Sequence, residues 1–301
     1  MLSFASPLPA PFAQGLGGWP LKDNTALDSL FYDVGTLTEK ERRALTAQSK
    51  TEGVILEVGP SHDRSLRIWP GIEACDGLRT GYAALSVAGV GSSAVGAAAL
   101  ARNVADALGG PVLGVVSGLG LADLGSEAMG GFFLFGGLNA LRHAGNSLEP
   151  WHWMTPPALR PRDPGHTFRM ARDSADVKAI RELLGEGGVK VPWLVGHSKG
   201  NLVLSEALYA LRETDRRRFR ASAADMRVIT LSARIAMPSQ IDRVIDVMGE
   251  LDTFGALNSR PDIPVDVSVP RAWHHTNTRL PFHLPVTKVL SRIARGRGEL
   301  D

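Results

Sequence analysis

The chain has 301 residues, 44% of them hydrophobic and 21% charged, a balance typical of a folded globular protein. Its 33 basic and 31 acidic residues nearly cancel, which gives no support to nucleic-acid binding. The single cysteine, Cys75, cannot form a disulfide within the chain, and residues 1–20 lack the charged and apolar regions of a signal peptide. These features predict a cytoplasmic protein and leave its oligomeric state open.

Two local features could indicate other partners, but each has a simpler explanation. The basic run 216–220 (RRRFR) follows an apparent helix, and cations are favoured at a helix C-terminus, so we expect a solvent-exposed helix end. The uncharged run 81–101 is long enough to be tested as a membrane span. It is mostly Gly, Ala and Ser, however, and divides into a strand, a glycine loop and a helix. We therefore expect neither a nucleic-acid partner nor a transmembrane segment.

Short apolar strands alternate with helical segments along most of the chain. The predicted strands are 53–59, 66–69, 83–88, 111–117, 191–195, 227–231 and 265–269, and the predicted helices are 92–108, 201–211 and 286–293. Segment 243–248 could be either a strand or a helix. This alternation predicts one α/β domain over residues 51–301, with a mainly parallel sheet and helices on both faces. Residues 1–50 are predicted to be an irregular N-terminal extension, with a charged helical stretch at 38–47.

The periodic pattern fails at about residues 119–168, which we interpret as an insertion in the α/β domain. This segment is rich in glycine, proline and aromatic residues: Phe132, Phe133, Phe135, Trp151 and Trp153. It could be buried against the core, or it could form an apolar lid-like wall over a binding site. In the second case an apolar or lipid-like acyl substrate is indicated.

The segment 193–204 (WLVGHSKGNLVL) places Gly-x-Ser-x-Gly between an apolar strand and an apolar helix. In this arrangement the chain turns sharply from strand to helix, with Ser198 in a strained conformation at the tip. Gly196 and Gly200 carry no side chains, so the turn and the helix can approach closely. The helix N-terminus then favours developing negative charge beside Ser198, and the backbone N–H of Lys199 becomes a natural oxyanion donor.

This segment resembles the nucleophile elbow of the α/β-hydrolase superfamily of esterases and lipases. The resemblance covers about residues 80–295 in element order, with sequence likeness concentrated at 196–200. It implies an α/β-hydrolase fold with Ser198 as the nucleophile and no cofactor. It also implies a second oxyanion donor in the loop after an earlier strand, for which Val90 and Gly91 are the candidates. The His-Gly pair usual in that loop is absent here.

A serine nucleophile needs a general base and a carboxylate that orients it, and in this family both follow the serine, acid first. Asp252 follows an apolar run and lies between two glycines, which favours it over the competing carboxylates Glu250, Asp246, Asp262 and Asp266. His274 and His275 both follow the last predicted strand, and His283 is a third candidate. We expect His275 to be the base, with His274 as the alternative.

The sequence therefore predicts a serine hydrolase that cleaves a small-molecule or lipid-like ester through an acyl-enzyme. A non-catalytic binding protein of the same fold is one alternative. A second is a dinucleotide-binding oxidoreductase, because 89–96 (GVGSSAVG) could cradle a pyrophosphate, although the expected ribose-binding acid is missing. The sequence has no cluster of histidines or cysteines that would indicate a catalytic metal.

Overall fold

A computed structural model of the protein describes residues 24–47, 52–75, 77–78, 81–89, 92–117, 174–185 and 189–296. In this part of the chain eight strands form a single sheet, and eight α-helices pack around it. The predicted α/β class with a mainly parallel sheet is therefore confirmed. The predicted insertion at 119–168, with its aromatic residues, lies outside the described residues.

The strands occur in the spatial order β2-β1-β4-β3-β5-β6-β7-β8. Their bounds are β1 Ile55–Val58, β2 Leu66–Trp69, β3 Ala84–Val87, β4 Val112–Val115, β5 Trp193–His197, β6 Arg227–Leu231, β7 Val244–Gly249 and β8 Val267–Val269. Strand β1 is antiparallel to both of its neighbours, and all the other pairs are parallel. β1 thus runs against the other seven strands, whose carboxyl ends meet at one edge of the sheet.

The helices are α1 Asn24–Phe31, α2 Glu39–Thr46, α3 Ala94–Leu108, α4 Ala175–Leu184, α5 Gly200–Thr214, α6 Arg216–Ala223, α7 Thr253–Leu257 and α8 Val286–Ala294. Alternate residues of the strands enter two separate hydrophobic clusters, one on each face of the sheet. Leu56 and Val195 pack with α3 and α8, whereas Leu85 and Leu194 pack with α4 and α5. None of the described helices has the length and hydropathy that a membrane crossing requires.

The predicted strands and helices are all present, with shifts of a few residues at their ends, and segment 244–249 is a strand. The interpretation of the basic run 216–220 as a helix end is wrong. Helix α5 ends at Thr214, and Asp215 caps a new helix, α6, by accepting the N–H of Arg218 at 2.9 Å. The run is nevertheless largely exposed, apart from Phe219, whose ring is buried in the core.

The helical stretch predicted at 38–47 is present as α2, but the prediction of irregular structure before it is wrong for residues 24–31, which form α1. Both helices pack on α3. Tyr32, Leu37 and Leu45 belong to the same hydrophobic cluster as α3. An ion pair joins the fully buried Arg102 of α3 to Glu41 of α2. Glu41 also completes a capping box by accepting the backbone N–H of Thr38 at 2.6 Å.

The buried pair predicts a large effect of one glutamate and a small effect of its neighbour. Glu41→Ala leaves the Arg102 charge buried without its partner, so we expect the free energy of unfolding to fall by about 3–5 kcal/mol. Glu39→Ala, which removes only solvent-exposed ion pairs to Arg42 and Arg43, should leave the melting temperature almost unchanged. Denaturant unfolding of both variants measures the difference, and equal stability of the two would contradict the packing of α2 on α3.

Candidate active site

Ser198 lies at the tip of the sharp turn that joins β5 to α5. Its φ of 53° is in the left-handed region, which residues with a side chain rarely adopt. The turn is held by the Ser198 N–H, which donates to Leu231 O at 2.8 Å. The Asn201 side-chain amide also donates to Leu231 O at 3.1 Å and to Ala233 O at 2.9 Å. The turn is thus fixed to the end of β6 by one backbone donor and one side-chain donor.

The glycines around Ser198 are required by close contacts between backbone segments. A Cβ atom at Gly200 would lie 2.2 Å from Val87 O at the end of β3, and one at Gly196 would lie 2.1 Å from the Asn201 side chain. A Cβ at Gly89, after β3, would lie 2.9 Å from Ser198 Cβ. A larger residue at Gly200 or Gly89 would therefore push the serine turn away from the end of β3, and one at Gly196 would displace Asn201, which explains the glycine pattern seen in the sequence.

Ser198, His274 and Asp252 form a continuous chain of hydrogen bonds. His274 Nε2 lies 3.0 Å from Ser198 Oγ, and His274 Nδ1 lies 2.9 Å from Asp252 Oδ1 and 3.0 Å from Oδ2. Because an ionised carboxylate only accepts hydrogen bonds, Nδ1 carries the imidazole proton and Nε2 accepts from the serine hydroxyl. All three residues are buried. This arrangement can remove the proton from Ser198 and so make its oxygen nucleophilic.

Asp252 follows β7, and its carboxylate has a second hydrogen-bond donor besides His274. Its Oδ1 accepts the N–H of Gly255 at 2.6 Å, so the residue also caps α7. Burial alone would raise the pKa of this carboxyl, but the adjacent His274 imidazole and the hydrogen bonds outweigh burial and place the pKa below its ordinary value. Asp252 is therefore ionised near neutral pH and can stabilise a protonated His274.

The preference for His275 as the base needs correction, because the loop turns its ring away from Ser198. The Nε2–H of His275 donates to Pro281 O at 3.1 Å, and burial lowers the pKa of this imidazole. His283, the third candidate, bonds Leu280 O at 3.1 Å through Nδ1. The structure therefore brings His274, the alternative base, to Ser198.

The competing carboxylates make contacts elsewhere. Glu250 accepts the backbone N–H of Arg271 at 3.0 Å, and Asp262 pairs with Arg260 at 2.6 Å. Asp246 accepts the hydroxyl of Thr230, and its own backbone N–H donates to the side chain of Asp266 at 2.8 Å. Of the five acids considered, the structure brings Asp252 to a histidine.

Aromatic rings surround the His274 imidazole on several sides. Phe254 meets it edge-on with ring centroids 4.8 Å apart, and Phe31 and Trp273 lie at 6.2 and 6.3 Å. His197 is at 5.1 Å. These neighbours restrict rotation of the imidazole and hold Nε2 toward Ser198.

The predicted oxyanion donors are described only in part. Lys199 is the residue between Ser198 and the start of α5, so its backbone N–H belongs to the N-terminal end of that helix. Val90 and Gly91 lie outside the described residues. The preceding residue, Gly89, donates its N–H to Tyr32 Oη at 2.6 Å. This contact with the residue that follows α1 has no signal in the sequence, because residues 32 and 89 share no local pattern.

Among the described residues, no group of three or more His, Cys, Asp or Glu side chains could hold a metal ion. Comparison of the whole chain with protein families, curated proteins and solved structures gave no match.

The geometry predicts a large effect of changing His274 and a small effect of changing its neighbour His275. Fluorophosphonates react with serines that are activated by a base, so His274→Gln should slow labelling of Ser198 by about 10²–10⁴-fold. His275→Gln keeps a donor for Pro281 O and should label within a few-fold of the unmodified protein. Labelling rates followed by intact-protein mass spectrometry measure both, and loss of labelling in His275→Gln alone would contradict the assignment.

Proposed function

We propose that the protein is a serine hydrolase of the α/β-hydrolase type that cleaves carboxylic esters through an acyl-enzyme. The observation that carries the proposal is the hydrogen-bonded chain Ser198–His274–Asp252. Its members come from loops after β5, β8 and β7, at the edge of the sheet where the parallel strands end. Their order along the chain is serine, acid, histidine, which the resemblance to the α/β-hydrolase elbow requires.

The proposed reaction has two steps that use the same groups. Ser198 Oγ attacks the ester carbonyl carbon while His274 Nε2 takes the hydroxyl proton, and Asp252 stabilises the imidazolium. The tetrahedral intermediate collapses, the C–O bond to the alcohol breaks, and His274 returns its proton to the leaving oxygen. Water then attacks the acyl-enzyme with His274 again as the base, which releases the acid and restores the serine.

Negative charge on the carbonyl oxygen needs donors that are already in position. The Lys199 backbone N–H is the first donor in this proposal, and the N-terminus of α5 adds a favourable field. Val90 or Gly91 supplies the second donor. Gly89 is set aside for this role because its N–H already donates to Tyr32.

The surface beside the acid and the base supports an apolar or lipid-like acyl substrate. Among the described residues, Leu251, Phe254 and Leu257 are exposed large hydrophobic side chains that lie close together in segment 251–257, which contains Asp252 and the short helix that it caps. Scattered exposed apolar residues are ordinary, but a local group of them is typical of a binding surface. Phe254 joins this group to the base, since its ring contacts His274.

The dinucleotide alternative is disfavoured by Asp28. Its carboxylate accepts the backbone N–H of Ser93 at 3.0 Å as well as the Ser93 hydroxyl, and it interacts with the Gly96 N–H. A carboxyl group of the protein itself thus occupies the N-terminus of α3, where a pyrophosphate would have to bind. The alternative of a non-catalytic binding protein keeps the same fold and is decided by experiment.

The test of the proposal is the loss of esterase activity in Ser198→Ala. We expect the protein to hydrolyse p-nitrophenyl esters, with kcat/KM rising from the acetyl to the octanoyl ester, and Ser198→Ala to lose about 10⁴-fold or more of kcat. Ser205→Ala is the matched control, because Ser205 is a buried serine on α5 whose hydroxyl bonds Ala236 O at 2.8 Å. It should retain activity.

Absence of both hydrolysis and fluorophosphonate labelling in the folded protein would favour the binding-protein alternative. Activity that survives in Ser198→Ala would show that another group is the nucleophile.

A further inference from the structure

A second chain of hydrogen bonds lies behind the candidate triad and transfers no proton in the proposed reaction. The Gly89 N–H donates to Tyr32 Oη at 2.6 Å, and Tyr32 Oη lies 3.0 Å from His197 Nδ1. His197 Nε2 in turn lies 2.9 Å from the carbonyl oxygen of His274. The chain therefore joins the loop after β3, the residue that follows helix α1, the residue before the nucleophile and the backbone of the base.

Each group in this second chain can act in only one way, as either the donor or the acceptor of a given hydrogen bond. A carbonyl oxygen only accepts, so His197 Nε2 carries a proton and donates it to His274 O. Burial, with the neighbouring His274, lowers the pKa of His197 to about 3, so the ring is neutral and Nδ1 is an acceptor. Tyr32 must then donate its hydroxyl proton to Nδ1, while its oxygen accepts the Gly89 N–H. Burial also raises the pKa of Tyr32, which keeps the hydroxyl protonated.

We propose that Tyr32 and His197 are positioning residues, which hold the base and the loop 89–93 after β3, here called the oxyanion loop, in register with Ser198. This inference rests on the proposed hydrolase function. His197 is adjacent to Ser198 in the chain, and its side chain fixes the backbone of His274. The distance between nucleophile and base is thereby set through one buried ring.

Tyr32 connects the oxyanion loop to the same hydrogen-bonded chain. Gly89 is the first residue of the loop that continues to Val90 and Gly91, and it packs directly on Ser198. With its N–H held by the Tyr32 hydroxyl, the start of this loop is tied to the His197 ring and hence to the base. A displacement of the loop would move the base as well.

Helix α1 contacts the same loops at further points. Asp28, one helical turn before Tyr32, holds Ser93 at the far end of the oxyanion loop. At the C-terminus of α1, Phe31 O accepts the N–H of Thr276 at 2.7 Å, two residues after His274. The helix thus bridges the oxyanion loop and the base loop, so a change at Tyr32 acts on a framework that remains bonded elsewhere.

Removal of the Tyr32 hydroxyl leaves two buried partners unsatisfied while keeping the ring in the core. Tyr32 and His197 are both nearly inaccessible, with 2% and 1% of their surface exposed, so the lost bonds are poorly replaced. Small displacements of a catalytic group lower the rate of the chemical step much more than substrate binding. A positioning role therefore predicts a loss in kcat at nearly constant KM.

The test is ester hydrolysis and fluorophosphonate labelling by Tyr32→Phe. We expect kcat and the labelling rate to fall by about 10–100-fold, with KM within about threefold. Tyr82→Phe is the matched control, since Tyr82 is an equally buried tyrosine that donates to Glu57 Oε2 at 3.2 Å in the opposite hydrophobic cluster. It should lose similar thermal stability and keep its kcat. Equal kcat for Tyr32→Phe and Tyr82→Phe would overturn the proposal.

Variants of His197 test the other half of the chain, including the case in which Tyr32→Phe does not fold. His197→Gln keeps a side-chain amide that can donate to His274 O, whereas His197→Phe loses both bonds. We expect His197→Gln to retain at least several-fold more kcat than His197→Phe, and equal losses would contradict a role in holding the His274 backbone.

The outcome also separates this inference from the proposed function. If the unmodified protein hydrolyses esters and Ser198→Ala does not, a normal kcat in Tyr32→Phe overturns only the positioning role. If the unmodified protein has no activated serine, both proposals are overturned together.

Discussion

Ser198 is held in a backbone conformation with φ of 53°, which lifts its side chain out of the sheet at the end of β5. Such a conformation costs roughly 1–3 kcal/mol and persists only where the surroundings enforce it. The enforcing contacts are the bonds from Ser198 and Asn201 to the end of β6 and the tight approach of Gly200 to β3. Much of the local sequence, including the glycines on both sides, follows from this one turn.

The parallel sheet brings the remaining groups to the same place. Strands β5, β7 and β8 run in one direction, so the loops that carry Ser198, Asp252 and His274 leave the sheet at one edge. Two buried hydrophobic clusters fix the sheet between its helices, and Asp252 is further restrained as the cap of α7. The candidate site is thus built on rigid elements. Contacts with the backbone restrict the movement of the Ser198 turn and of the Asp252 carboxylate.

Most of the framework could be predicted from the sequence because its signals are local. Buried parallel strands are short apolar runs, and the turn at Ser198 needs small residues at fixed spacing, so both can be read from neighbouring positions. Asp252 was predicted for the same reason, as a carboxylate directly after an apolar strand. Helix α3 was predicted from its alanine-rich face, and the structure confirms it over Ala94–Leu108.

The features that could not be predicted from the sequence are those that depend on contacts between residues distant in the chain. The choice between His274 and His275 is decided by the direction in which the loop turns, which is set by backbone bonds from Trp273 to Phe282 and from Leu284 to His275. The role of Tyr32 cannot be predicted for the same reason, because its hydrogen-bond partner His197 lies 165 positions away in the sequence. A tyrosine directly after a short helix carries no local sign of such a partner.

In the proposed reaction Ser198 and His274 act as one unit, and a comparison of single and double variants tests this most directly. The measurement is kcat for p-nitrophenyl octanoate with Ser198→Ala, His274→Ala and the double variant, each first shown to be folded. Groups of one catalytic unit predict that the double variant loses no more activity than the more impaired single variant. Losses that multiply in the double variant would mean that the two residues act independently, and the hydrogen-bonded chain would then not be the catalytic unit.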